Sequence, residues 1–332
     1  VSQNNLQFTE LTAPGKVFIL GEYAILAQLS AVVATVEPRF SLRISKETTG
    51  GLRSSLPASA LFHPQSPAGK LIAWAERSEK SDLPSLDLQW EDPHLGQGGF
   101  GASTAQFALV YFALAENYGW PLQWESMWRL YRDLTGVTGV EDGIAPSGAD
   151  VVAQWMGGIT LFEYQEKGIT SKDLSGHFDW NNVLIFSAAA QEGRKVPTHE
   201  HLARMKDVGF LHRVARRLSS PLSVGVGALR ENDPARLGFA LREYAKILQE
   251  VGLELEATTR DRQAFQKLQG VLGVKGAGAM QADALVIVVR KEATPNSTLR
   301  QEILEMAKAR QLVLMADGIK HQAGVPGVQK SE

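Results

Sequence analysis

The chain contains no cysteine. That absence excludes disulfides, thiolate metal sites and cysteine nucleophiles, and it is compatible with a cytosolic protein. No Gly-Lys-Ser/Thr triplet follows a suitably spaced glycine, so the Gly-x-x-x-x-Gly-Lys-Ser/Thr phosphate loop is missing. No apolar run reaches the length of a membrane span, and the first residues, VSQNNLQFTEL, lack the basic end and apolar core of a secretion signal. Neither sign of charge dominates: 34 Lys and Arg against 36 Asp and Glu give a formal net charge of -2. There is therefore no electrostatic case for nucleic acid or an anionic membrane as the main partner. A soluble, cytoplasmic, globular protein is expected, and 332 residues suggest two domains.

The most informative stretch present is Leu95 to Ala105, LGQGGFGASTA, which sets glycines against a Ser-Thr pair just ahead of the apolar run QFALVYFALAEN. Glycine can turn tightly and let an anion approach its N–H groups, and a helix start offers further free N–H groups with a partial positive charge. A nucleotide phosphate site is the first hypothesis. By itself the stretch also fits an ordinary turn before a helix. The spacing of Gly96, Gly98 and Gly101 satisfies a dinucleotide fingerprint too. Against that reading, Glu116 comes too early for the ribose carboxylate, and QWEDPHL makes a poor buried strand.

Strands and helices alternate along the chain without a repeat. Leu6 to Thr12 and Val17 to Leu26 read as strands flanking an APGK turn, Ala31 to Ser45 as one or two more, and Gly50 to Gly69 as a surface loop. Helices are expected over Thr104 to Tyr118 and Gln123 to Thr135, separated by Pro121. The tryptophans at 120, 124 and 128 have helical spacing and are most simply packing. A second half contains the buried-strand signals VLIFSAAA and ALVIVV with amphipathic helices between them. Two mixed lobes, 1–185 and 186–332, fit this clustering better than one doubly wound sheet.

Three further segments carry chemical potential. In APGKVFILGEYAIL, Lys16 follows Pro14-Gly15, where an ammonium could reach a hydroxyl or phosphate oxygen, although a turn lysine is usually solvated. In PSGAD, Asp150 sits at the start of the helix ADVVAQWM, a place the helix dipole alone would favour. GVKGAGAMQADALVIVV is read as a second glycine-rich loop that could bring backbone next to a ligand. His199 and His201 are at i, i+2 and fall on different faces of a helix, which argues against zinc.

Together, APGKxxxxGEY, the GxGxxGASTA loop, PSGAD and KGAGA, in this order and spacing, resemble the GHMP kinases over nearly the whole chain. The resemblance implies an α+β, two-lobed fold: an N-terminal lobe like the second domain of ribosomal protein S5 and a ferredoxin-like C-terminal lobe, with both substrates in the cleft. It implies ATP and Mg²⁺ as cofactors and phosphoryl transfer to a small-molecule alcohol or phosphate. Gly98, Gly99, Gly101, Ala102, Ser103 and Thr104 would then wrap the ATP phosphates, and Ser103 would meet the metal. Ala102 replaces the family's first serine and Phe100 its usual leucine; neither change removes a backbone N–H. Asp150 corresponds to the catalytic aspartate and Lys16 to the lysine that steadies it. The metal carboxylate is the hardest to align: Glu141 is preferred to Asp142. Glu22, Ser147, Arg194, Lys195, Gly276, Ala277 and Gly278 would face the acceptor.

The acceptor is less sharply indicated. GEY at 21–23 resembles bacterial phosphomevalonate kinases, whereas PSGAD and GRKVPTHEHLARM resemble mevalonate kinases. Mevalonate is preferred, phosphomevalonate is the alternative, and a non-catalytic ligand sensor on the same fold is a third reading. A homodimer is left open.

Overall fold

Pro14 stands inside one long strand. In the computed structural model, which describes residues 8–46, 61–78, 86–94, 99–136, 144–165, 168–188, 196, 201, 207–291 and 297–325, strand β1 runs Phe8–Leu20 without interruption. The expected APGK turn is instead an irregularity in its pairing with β2, Ser30–Lys46. Ala13 pairs with Phe40 and Gly15 already with Val36, so Pro14 and residues 37–39 drop out of the ladder together. Proline has no N–H to give, and β1 lies at the edge of its sheet, which is where a strand tolerates it. Lys16 consequently sits in a strand opposite Thr35, only 9% exposed, and not on a solvated turn.

The first sheet has the order β1-β2-β4-β5, with β4 at Ile159–Gln165 and β5 at Gly168–Asp173; β3, Leu86–Glu91, pairs with the far end of β2. Helices α1 (Pro67–Ser78), α2 (Ala102–Tyr118), α3 (Trp124–Thr135) and α4 (Ala149–Met156) pack beside it. α2 has no internal glycine or proline and is buried on nearly every side. It stops at Gly119, whose left-handed φ of 68° lets its N–H close on Ala115. Both α2 and α4 start from left-handed glycines, Gly101 (φ 87°) and Gly148 (φ 75°). Such a start turns the chain sharply and leaves the first N–H groups of the helix free.

The second sheet has the order β7-β8-β6-β9, formed by Val271–Ala277, Ala284–Val289, Val183–Ser187 and Val313–Asp317. β6 and β8 are buried on both faces, which explains their unbroken apolar sequences. Val183, Ile185, Val286 and Val288 join the main core, while the alternate residues Leu184, Phe186, Leu285 and Ile287 form a second core with Phe265 and Ile303. Helices α5 (Val208–Arg230), α6 (Pro234–Glu250), α7 (Glu256–Phe265) and α8 (Thr298–Ala309) complete this lobe. The boundary expected at 185/186 falls inside β6, all five residues of which pair within the second sheet. The KGAGA segment also differs from the expected loop: Lys275, Gly276 and Ala277 belong to β7, and the turn begins at Gly278. Among the described residues, no helix is long and apolar enough to cross a membrane.

Candidate active site

One buried side chain of α4 ties the strand that carries Lys16 to the glycine start of α2. Gln154, four residues after Asp150 on α4 and fully buried, donates to the Pro14 carbonyl (2.8 Å) and the Gly101 carbonyl (3.2 Å). Its own Oε1 accepts from the Thr104 hydroxyl at 2.5 Å. Residues four apart stack on one helix face, so Asp150 stands one turn from this junction on α4. Lys16 in turn donates its N–H to the Phe100 carbonyl (2.9 Å). The stem of its side chain crosses Gly101 so closely that a Cβ there would lie 2.7 Å from Lys16 Cγ. Its ammonium sits 5.2 Å over the Phe18 ring. The lysine and the glycine turn are thus fitted to each other, and glycine is required at 101 by space as well as by φ.

Asp150 is half-buried, and its carboxylate accepts from the Val151 N–H (3.1 Å). The preceding PSG turn is held from α3: Trp128 donates to the Ser147 carbonyl (2.9 Å) and Arg132 donates to the Pro146 carbonyl. Ser147 is buried and accepts from the Ala149 N–H at 3.3 Å, so its hydroxyl serves the turn. Ser103 is exposed in the first turn of α2 next to the half-buried Ala102, whereas Thr104 faces inward. Of the site residues expected on sequence grounds, Lys16 and Gly101 are in contact, Ala102 and Ser103 follow in the first turn of α2, Asp150 opens α4, and Thr104 and Ser147 are buried. Gly98, Glu141, Asp142, Arg194, Lys195 and His199 lie outside the described residues.

Next to the glycine turn, the segment after β1 is joined to β7 and the turn that follows it. Glu22, 7% exposed, accepts from Lys275 Nζ and from Gln281 Nε2 (3.0 Å), and its carbonyl accepts from the Tyr244 hydroxyl (2.5 Å). Lys275 has no exposed surface, and its ammonium also donates to the Gly276 carbonyl (2.5 Å). Burial pushes the Lys275 pKa down, while the Glu22 carboxylate pulls it back up. Glu22 Oε2 is buried with no hydrogen-bond partner. Next to it, Tyr23 accepts from the Met280 N–H (2.9 Å) and lies 3.1 Å from His201 Nε2, so the tyrosine of GEY is committed to this joint. Burial raises the phenol pKa of Tyr23.

Sequence reasoning missed Gln154, Lys275, Gln281 and Tyr244. Two carried a signal: a glutamine inside ADVVAQWM and a lone lysine inside VLGVKGA are polar groups in apolar runs, which require partners. The turn after KGAGA is poorer in glycine than the resemblance leads one to expect, yet it keeps a glycine-like path. Met280 and Gln281 take φ of 53° and 58°, held by Tyr23, by Gln281 N–H to the Gly278 carbonyl (3.0 Å) and by Thr258 to the Gln281 carbonyl (2.9 Å). Asp283 closes the joint: its side chain fills the space that a Cβ on either Gly99 or Gly278 would need.

No protein-family profile matches the chain. It is similar to a mevalonate kinase of Aeropyrum pernix, 26% identical over 299 residues that make up 81% of this chain and 84% of the relative. Among solved structures, the fold matches L. major mevalonate kinase in complex with R-mevalonate (TM-score 0.63, 19% identity, 98% of each chain). It also matches Streptococcus pneumoniae phosphomevalonate kinase in complex with phosphomevalonate and AMPPNP (TM-score 0.68, 14% identity, 93% of this chain and 98% of that one).

Proposed function

The chain belongs to the GHMP kinase superfamily, and from that premise we propose that it is a mevalonate kinase, transferring the γ-phosphoryl group of ATP to the mevalonate hydroxyl. The observation that supports this reading is the Gln154 junction: four residues after Asp150 on α4, Gln154 ties the Pro14 carbonyl, two residues before Lys16, to the left-handed Gly101 turn that starts α2. Phosphoryl transfer depends on positioning and charge neutralisation more than on covalent help, and these are the groups it needs.

In this reading the N–H groups at Gly99, Gly101, Ala102 and Ser103 hold the phosphate oxygens. Lys16 neutralises charge as the new P–O bond forms and the bond to the leaving ADP oxygen breaks. Asp150 accepts the proton of the attacking hydroxyl, a contribution of about 10²- to 10⁴-fold. Among the described residues no cluster of three His, Asp or Glu is gathered, so the donor set suits an ion held mostly by the nucleotide and water. Mg²⁺, when bound, would supply neutralisation of the phosphate charge, with Ser103 and Glu141 as its protein contacts. The lobe division is set just ahead of β6 in this proposal. Acceptor identity follows the curated relative, with phosphomevalonate as the alternative suggested by GEY.

ADP release measured with mevalonate, with phosphomevalonate, with homoserine and with no acceptor tests the assignment. Mevalonate-dependent release is expected. Release with phosphomevalonate alone would move the chain to the alternative, and none with any acceptor would favour the ligand sensor.

A further inference from the structure

A file of stacked rings leads from the first sheet to the cradle and has no part in the steps above. Trp90 stacks on Phe40 (5.5 Å between centroids, 14°), Phe40 tilts against His94 (5.1 Å, 52°), and His94 stacks on Phe100 (4.7 Å, 13°). Phe100 is 2% exposed and His94 9%. Phe100 lies between two left-handed glycines, Gly99 (φ 94°) and Gly101 (φ 87°), so it has the one side chain by which that turn can be gripped. Its carbonyl is the acceptor for the Lys16 N–H. Whatever fixes Phe100 therefore fixes the spacing between the cradle and the lysine.

His94 is held as if for that purpose. Its backbone N–H donates to Asp92 Oδ1 (2.9 Å), its ring hydrogen-bonds the Pro38 carbonyl, and burial lowers its pKa. Nε2 is buried without a hydrogen-bond partner, beside Gly15. A buried imidazole that forgoes a hydrogen bond has a cost; here the ring's flat face is what the site uses.

We propose that His94 and Phe100 are positioning residues, a ring clamp that sets the Gly99 to Gly101 turn on Lys16 and so prepares the cradle for the nucleotide phosphates. The inference rests on the kinase reading. A displaced cradle should weaken nucleotide binding and leave the acceptor alone, because Glu22 and Ser147, expected to face the acceptor, are held by contacts of their own outside the ring file.

The test uses the full chain, calorimetric titration with AMPPNP, and steady-state kinetics. Phe100→Leu keeps an apolar side chain but removes the stack, and His94→Ala removes it from the other side. Each should weaken AMPPNP about tenfold while the acceptor KM stays within about twofold. The double variant should be no worse than either single one, since both break the same contact. His94→Phe, which keeps a flat ring and loses both nitrogens, should bind AMPPNP like the wild type, and this rescue separates positioning from general loss of packing. Unchanged AMPPNP affinity in Phe100→Leu and His94→Ala would overturn the clamp and leave the kinase reading intact. So would nucleotide and acceptor constants that worsen together, with His94→Phe as damaging as His94→Ala. Should Phe100→Leu fail to fold by circular dichroism, the His94 pair of variants decides. A wild-type chain that binds no AMPPNP would overturn the kinase reading, and the clamp with it.

Discussion

The two walls of the cleft are made of different material. Around Gly101 the chain's path is fixed by φ values only glycine takes easily, and the side chains of Gln154 and Thr104 hold that backbone. At the interlobe joint the reverse holds: Glu22, Lys275, Gln281 and Tyr244 meet through their side chains across more than 200 positions of sequence. A backbone wall tolerates changes of residue type that keep its path, as Ala102 illustrates. A side-chain wall tolerates almost none, because each partner removed leaves a buried polar group unpaired.

The largest effect should come from the carboxylate on the cradle side. Asp150→Asn keeps the helix-start geometry and removes the base, so turnover should fall about 10²- to 10⁴-fold, with AMPPNP affinity unchanged by titration. Equal turnover in that variant would remove Asp150 from the mechanism. On the joint side, Lys275→Met leaves Glu22 buried without its cation and should cost about 3–5 kcal/mol of stability in urea unfolding. Combining it with Glu22→Gln should recover most of that loss. If the double variant is instead as unstable as Lys275→Met alone, the two side chains do not act as a pair.

The same contrast decides what could be read from the sequence. The left-handed turn at Gly99 and Gly101 ahead of α2 was legible because it is carried by glycine spacing next to a helix, a local pattern; α2, α4 and the buried strands β6 and β8 were legible from apolar runs and their breakers. APGK was misread as a turn because Pro14 usually signals one, and only the pairing with β2 shows that an edge strand absorbs it. KGAGA was misread as a loop for a like reason: β7 uses glycine for close approach, with a Cβ on Gly273 falling 2.2 Å from the Gly238 carbonyl oxygen and one on Gly276 falling 2.5 Å from Gln281 Cβ. The joint was nearly illegible. A lone buried lysine announces that it needs a partner, but nothing local says that the partner is Glu22, 253 residues away.

Gln154 belongs to both kinds of wall, a side chain whose task is to hold backbone. Gln154→Leu should cost about 1–3 kcal/mol, from the Pro14 carbonyl left without its donor. It should also raise the ATP KM more than the acceptor KM. An effect on the acceptor KM alone would show that the cradle and Lys16 are held in register by something else.

The smallest predicted effect is one of pH, and it also divides the two walls. Tyr131, beneath the Asp150 turn, and Tyr23 and Tyr244, in the joint, all have phenol pKa values raised by burial, with carboxylates nearby adding to the shift. A phenol harder to ionise in the folded chain leaves stability intact below its unfolded pKa near 10 and draws it down as pH rises past that value. Near pH 10 each should cost the fold about 0.4 kcal/mol, and the three together about 1 kcal/mol. Lys275 acts in the opposite sense. Its pKa is lowered in the folded chain, so between that value and about 10.4 the unfolded chain holds the extra proton and stability rises with pH. Urea midpoints followed from pH 8 to 11 should therefore show a shallow rise before the fall. The rise should vanish in the Glu22→Gln/Lys275→Met double variant, while the fall, which belongs to the tyrosines of both walls, should remain.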